Sequence, residues 1–125
     1  MTEKKSLEEI SELDSRYNPK AVRFVYEGLG YTIRKLCSGQ PGHITGQTLC
    51  EGLRQLAVEK WGLLAMLVLD TWGIKATRDF GEIVYLLIRN NWMKAQPTDT
   101  IDDFNAVFEM KTALKDCFKF EAARP

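Results

Sequence analysis

Histidine is nearly missing from this chain: His43 is the only one in 125 residues. Three cysteines accompany it, Cys37, Cys50 and Cys117, too widely spaced for any Cys-x-x-Cys clasp. A structural zinc site asks for about four such ligands at short spacing, so no metal and no other cofactor is expected. Three is also an odd number, and it reads as reduced thiols of a cytoplasmic protein. Net charge is missing as well. Seventeen basic residues balance seventeen acidic ones: seven against six in residues 1–35, six against five in 36–96, four against six in 97–125. The basic excess that marks nucleic-acid or anionic-membrane binding is therefore not there. No long apolar run exists. The longest, Leu63 to Leu69, is too short to span a bilayer, and Met1 to Lys5 leads into Ser, Leu and Glu rather than a signal-peptide core.

Catalytic patterns fare no better. His43 lies in a loop flanked by Gly and Pro, with Cys37 and Cys50 near it in sequence. A Cys–His pair would need an orienting group and a local signature, and none is present. A backbone hydrogen bond at the loop–helix junction is the better account of His43. Gly28-Leu29-Gly30 imitates the start of a dinucleotide fingerprint but sits inside a helical pattern with no strand before it. Asp99, Asp102 and Asp103 cluster without the rest of a calcium loop, so they read as a solvated turn.

What is present is a set of well-punctuated helices. An apolar share of 45% and a charged share of 27% can build one ordinary globular core at this length. Ser6-Leu7-Glu8-Glu9 is a capping box ahead of Leu7, Ile10 and Leu13. Asn18-Pro19 starts a helix over 19–36, with Val22, Val25, Tyr26, Leu29, Ile33 and Leu36 at helical spacing. Gly28 and Gly30 inside it predict close approach by a neighbouring helix. Residues 38–42 form a loop, and His43-Ile44 adds a short strand. Thr45 caps a helix striped by Leu49, Leu53, Leu56, Ala57 and Trp61, which Gly62 bends or breaks. Leu63 to Trp72 is apolar on nearly every side, so it is expected to be the most buried helix, with Leu67 at its centre. Gly73 fits a left-handed C-cap.

From Gly73 to Phe104 the order reads as short strand, helix, strand, acidic turn, strand. Ile74 to Ala76 alternates, Thr77 caps a helix with Phe80, Ile83, Val84, Leu87 and Ile88 inward, Trp92 to Gln96 reads as a strand, and Phe104 to Met110 alternates again. The expected fold is therefore α+β and predominantly helical, winged-helix-like, with four to five helices and a small C-terminal β-hairpin. Its parts are an N-terminal capped extension over 1–17, the domain over 18–114 and a tail over 115–125. In the tail, Thr112 caps one helical turn through Cys117, or Phe118 and Phe120 continue the alternation.

His43-Ile44-Thr45-Gly46-Gln47, Trp72-Gly73-Ile74, Thr77-x-x-Phe80-Gly81-Glu82-Ile83-Val84 and Asp103-Phe104 leading to Val107-Phe108 recur in an order that resembles an uncharacterised family of short bacterial proteins, associated mainly with planctomycetes and verrucomicrobia. The resemblance covers roughly residues 19–114. It implies domain boundaries and no activity.

Two function classes follow. A winged-helix DNA-binding protein would read a major groove with helix 78–91 and hold phosphates with the hairpin over 92–110. Its contacts would be Lys75, Arg78, Arg89 and Lys94. Glu82, one turn from Arg78, and the carboxylates Asp99, Asp102 and Asp103 oppose that use. The favoured reading is a non-enzymatic intracellular binding module for a protein partner or a second copy, with Trp92, Phe118 and Phe120 as its interaction surface.

Overall fold

Asn18 accepts a hydrogen bond from the Lys20 N–H at 2.8 Å, Pro19 sits in the first turn behind it, and the longest helix begins there as the sequence predicts. The computed structural model describes residues 5–37, 44–96 and 99–116, with the backbone alone for 115 and 116. Its helices are α1 (Leu7–Glu12), α2 (Pro19–Leu36), α3 (Gly46–Trp61), α4 (Ala65–Thr71), α5 (Thr77–Arg89) and α6 (Met110–Asp116). Short 3-10 turns cover Gly62–Leu64 and Ile101–Phe104. The capping box of Ser6 and Glu9 forms, as does the Thr45 cap of α3. Among the described residues no helix is long and apolar enough to cross a membrane.

α2 and α3 form the central pair, with α1 and α5 on α2 and both α4 and α6 on α3. Two small residues set how closely the pair approaches. A Cβ at Gly28 would lie 2.1 Å from Leu53 Cδ2, and one at Gly52 would lie 1.8 Å from Thr32 Oγ1. Each helix thus offers a gap to the other's side chain. Thr32, buried there, donates its hydroxyl to Gly28 O one turn back at 2.7 Å. Gly30 has no such role, since its added Cβ would meet only Arg34 Nη1 at 3.4 Å.

The predicted β-hairpin is absent: the described residues contain no strand, and the winged-helix reading is overturned with it. Three local causes explain this. Asn91 takes the left-handed conformation (φ 68°), so Trp92 N–H is spent on Leu87 O at 2.9 Å, closing the end of α5 rather than opening a strand. The carboxylates of Asp99 and Asp103 accept the backbone N–H groups of Gln96 and Thr100, replacing ladder partners with local turns. Ala106 is also left-handed (φ 48°), which breaks the alternation read over Phe104 to Met110. Where the second strand was expected, an irregular stretch over 105–109 joins the Ile101–Phe104 turn to α6.

The short strand at Ile74 to Ala76 is absent too. Gly73 at φ 96° and Ile74 close α4 in a Schellman motif, with Gly73 N–H donating to Asp70 O at 3.0 Å and Ile74 N–H to Leu69 O at 2.8 Å. Buried Ile74 and Leu69 are the apolar pair that accompanies it. Ile44 belongs to no strand, and His43 lies outside the described residues. Thr77 is buried in the first turn of α5 rather than capping it. Asp79 serves that end, accepting Lys75 N–H at 2.8 Å, Ala76 N–H at 3.0 Å and the Tyr17 hydroxyl at 2.6 Å.

Candidate interaction surface

Gly62, at φ 54°, ends α3 and starts a tight turn that α4 then continues. The break lets α4 rest on the core through Ala65 and Leu69 alone. The apolar residues of the preceding turn and of the outer side of α4 face outward: Leu63, Leu64, Met66 and Leu67 are 60%, 61%, 42% and 61% exposed, while Val68 is half-buried. The expectation that this is the most buried helix, with Leu67 inside, is therefore wrong. A segment apolar on all sides does not reveal which side is covered, and a seven-residue helix at the edge of the domain covers only one.

A large apolar side chain offers roughly 150–200 Å² when fully exposed, so these four present roughly 350–450 Å², within the range at which a monomer's largest patch is often functional. Beside them α6 contributes Leu114 and Lys111. An open groove of about 320 Å³ runs between Leu63, Met66, Lys111 and Leu114. A wider one of about 540 Å³ continues past Leu67 to Asp70, Lys75 and Glu109. The rim holds two cations and two anions, with Lys75 Nζ paired to Asp70 at 2.7 Å.

Of the four residues proposed for nucleic acid, Lys75 and Arg78 are paired with carboxylates. Arg78 Nε binds Glu82 at 3.1 Å, the pairing expected from the sequence, while its Nη1 binds Asp102 at 3.0 Å and Asn105 at 2.9 Å. Those carboxylates hold the guanidinium pKa above its ordinary value, with Glu82 the main cause. Lys75 belongs to the rim just described. Arg89 is exposed at the last turn of α5, and Lys94 lies in the irregular segment after it. The face of α5 that carries Gly81 is covered, since a Cβ there would meet the Phe104 side chain at 2.8 Å. Thr77 fixes that cover by donating to Phe104 O at 2.7 Å and accepting from Val107 N–H at 3.1 Å. Helix α5 is thus a core element held under the Ile101–Phe104 turn.

Trp92 is used inside the fold. Its Nε1 donates to Lys5 O at 2.7 Å, and its ring stands edge-on to Tyr26 at 5.1 Å, tying the N-terminal segment to α2. Phe118 and Phe120 lie outside the described residues, as does Cys117. Sequence reasoning assigned none of the four exposed residues of this face to a surface, and it placed Leu67 in the core. The signal was available in Gly62, which detaches the apolar run from α3.

One further cavity, of about 80 Å³, lies between α3, α5 and the Asp99–Phe104 segment. The buried Tyr85 hydroxyl beside it has no hydrogen-bond partner among the described residues. Burial, and then the charges of Asp99 and Asp103, push that phenol's pKa up. A space of this size holds a few waters, which would serve the hydroxyl without any ligand. Cys50 on α3 is buried, and burial pushes its thiol up to about 12, so it is a core residue rather than a nucleophile. No group of three or more potential metal ligands occurs among the described residues.

No protein-family model, curated protein or solved structure matches the chain. The surface must therefore be interpreted from its own chemistry.

Proposed function

We propose that the chain is a non-enzymatic protein-interaction module, and that the face made by Leu63, Leu64, Met66 and Leu67 with the α4–α6 groove is where its partner docks. The exposure of those four side chains, adjacent on one surface, carries the reading. Single exposed leucines are ordinary, whereas four together beside a groove form the apolar centre of an interface with a charged rim. The engagement of Arg78 by Glu82, Asp102 and Asn105 weighs against phosphate contact as the main use of α5. A cytoplasmic setting goes with this proposal, supported by the wide spacing of the three cysteines.

A photo-crosslinking amino acid in place of Leu67, introduced into the full chain in producing cells, tests the proposal. A matched probe replaces exposed Arg34 on α2. Position 67 is expected to yield a discrete protein adduct and position 34 none. If position 67 stays uncrosslinked, or both positions give the same diffuse labelling, the docking face is refuted.

A further inference from the structure

Resting on that reading, we infer that the occupant of the α4–α6 face is a second copy of this chain, docked by the same face around a two-fold axis. Three observations point to it. The face holds both halves of a packing contact: Leu64 and Leu67 protrude, and a groove of about 320 Å³ lies beside them between Leu63, Met66 and Leu114. A surface with projection and recess side by side complements its own copy under two-fold rotation. The rim is also self-complementary, because Asp70 and Glu109 balance Lys75 and Lys111. A strongly acidic or strongly basic partner would leave two of the four facing like charge, whereas a copy supplies two of each sign. Finally, the chain carries no net charge, so two copies approach without long-range repulsion.

The area sets the strength. Two such faces bury roughly 700–900 Å² of apolar side chain, below the roughly 1,200–2,000 Å² of a stable interface. The pair is therefore a concentration-dependent dimer with a dissociation constant in the micromolar range or weaker, not a permanent one.

Sedimentation equilibrium of the purified full chain, from about 1 µM to about 1 mM, is the test. The average mass is expected to rise from 14.3 kDa toward twice that value. Leu64→Glu and Leu67→Glu, made separately, should each move the midpoint at least about tenfold to higher concentration, because symmetry introduces each charge twice. Both positions are exposed, so both variants should keep the wild-type circular dichroism spectrum. A conservative pair, Leu64→Ala and Leu67→Ala, serves if either glutamate disturbs folding, and should move the midpoint in the same direction. A constant single-chain mass across the range overturns the inference, as does a dimer that neither variant weakens. If the chain becomes dimeric only when Phe118 and Phe120 are both changed to Ala, its own C-terminal segment is the occupant and the second copy is refuted. A single-chain mass in solution together with a crosslink from position 67 to a different protein would sink this inference alone. No crosslink at all would sink the docking face itself.

Discussion

Replacing Gly28 by Ala and, separately, Gly30 by Ala should move stability in opposite directions, although the two lie two residues apart on α2. In an isolated helix each change would help by roughly 1 kcal/mol, since glycine is a poor helix former. At Gly28 the new Cβ would sit 2.1 Å from Leu53 Cδ2 and 3.1 Å from Leu53 Cγ. Leu53 has no exposed surface, so it must leave its rotamer or α3 must shift. Overpacking of this kind costs roughly 1–3 kcal/mol, and a contact so short belongs at the upper end. The net is a loss of about 1–2 kcal/mol. For a chain of this length that lowers the melting temperature by about 4–8 °C. At Gly30 the nearest atom is the end of the flexible Arg34 side chain at 3.4 Å, so the helix-forming gain survives and the melting temperature rises by about 2–4 °C. Thermal melts followed by circular dichroism in one buffer decide the matter. Equal stabilisation by both changes would refute the close approach of α2 and α3 at Gly28.

Leu67→Ala should cost less than about 1 kcal/mol in chemical denaturation of dilute protein, because most of this side chain is already in water; a loss of 2 kcal/mol or more would return it to the core. Thr77→Val keeps the shape but strands Phe104 O and the Val107 N–H, so it should cost about 1–3 kcal/mol while Thr77→Ser costs less; equal melting of the two would show that the hydroxyl does not hold the segment. The folded Cys50 pKa is raised from 9.0 to about 12, so its contribution is complete below pH 9 and is lost as pH climbs toward 12. Stability should fall by up to about 1.4 kcal/mol per pH unit in that window, and Cys50→Ala should remove this component between pH 9 and 10, ahead of the tyrosines; identical slopes in the two proteins would contradict the buried thiol.

The helices whose ends are marked by side chains were legible in the sequence. Ser6, Asn18 and Thr45 cap where their hydroxyls and amide dictate, and Gly73 stops α4, because these signals act within a few residues and need no tertiary help. The strands were misread because alternation is a weak signal against local chemistry. Asn91, Asp99, Asp103 and Ala106 each satisfy or redirect backbone that a hairpin would have needed, and the two aspartates read as a solvated turn between strands rather than as acceptors of local backbone N–H groups. Candidate site residues were the least legible. Arg78 attracts attention as a cation, yet Asp102, 24 positions away, pairs with its charge and Asn105, 27 away, accepts a further hydrogen bond from it, through a turn whose position the sequence does not announce. Trp92 looks like an interface residue until Lys5 and Tyr26 are seen around it. The α4 face failed in the other direction: hydrophobicity alone was taken as burial, when only Ala65 and Leu69 turn inward.

Methionine oxidation footprinting tests the central claim, a face built to be covered by protein, most directly. Met66 is exposed on the α4 face, while Met93 is buried away from the groove and serves as internal reference in the same sample. In dilute purified protein Met66 should oxidise much faster than that reference. At high concentration or in the producing cell, its rate relative to Met93 should fall several-fold as the face is covered. An unchanged rate ratio under all three conditions would mean that nothing docks there, and would contradict the account.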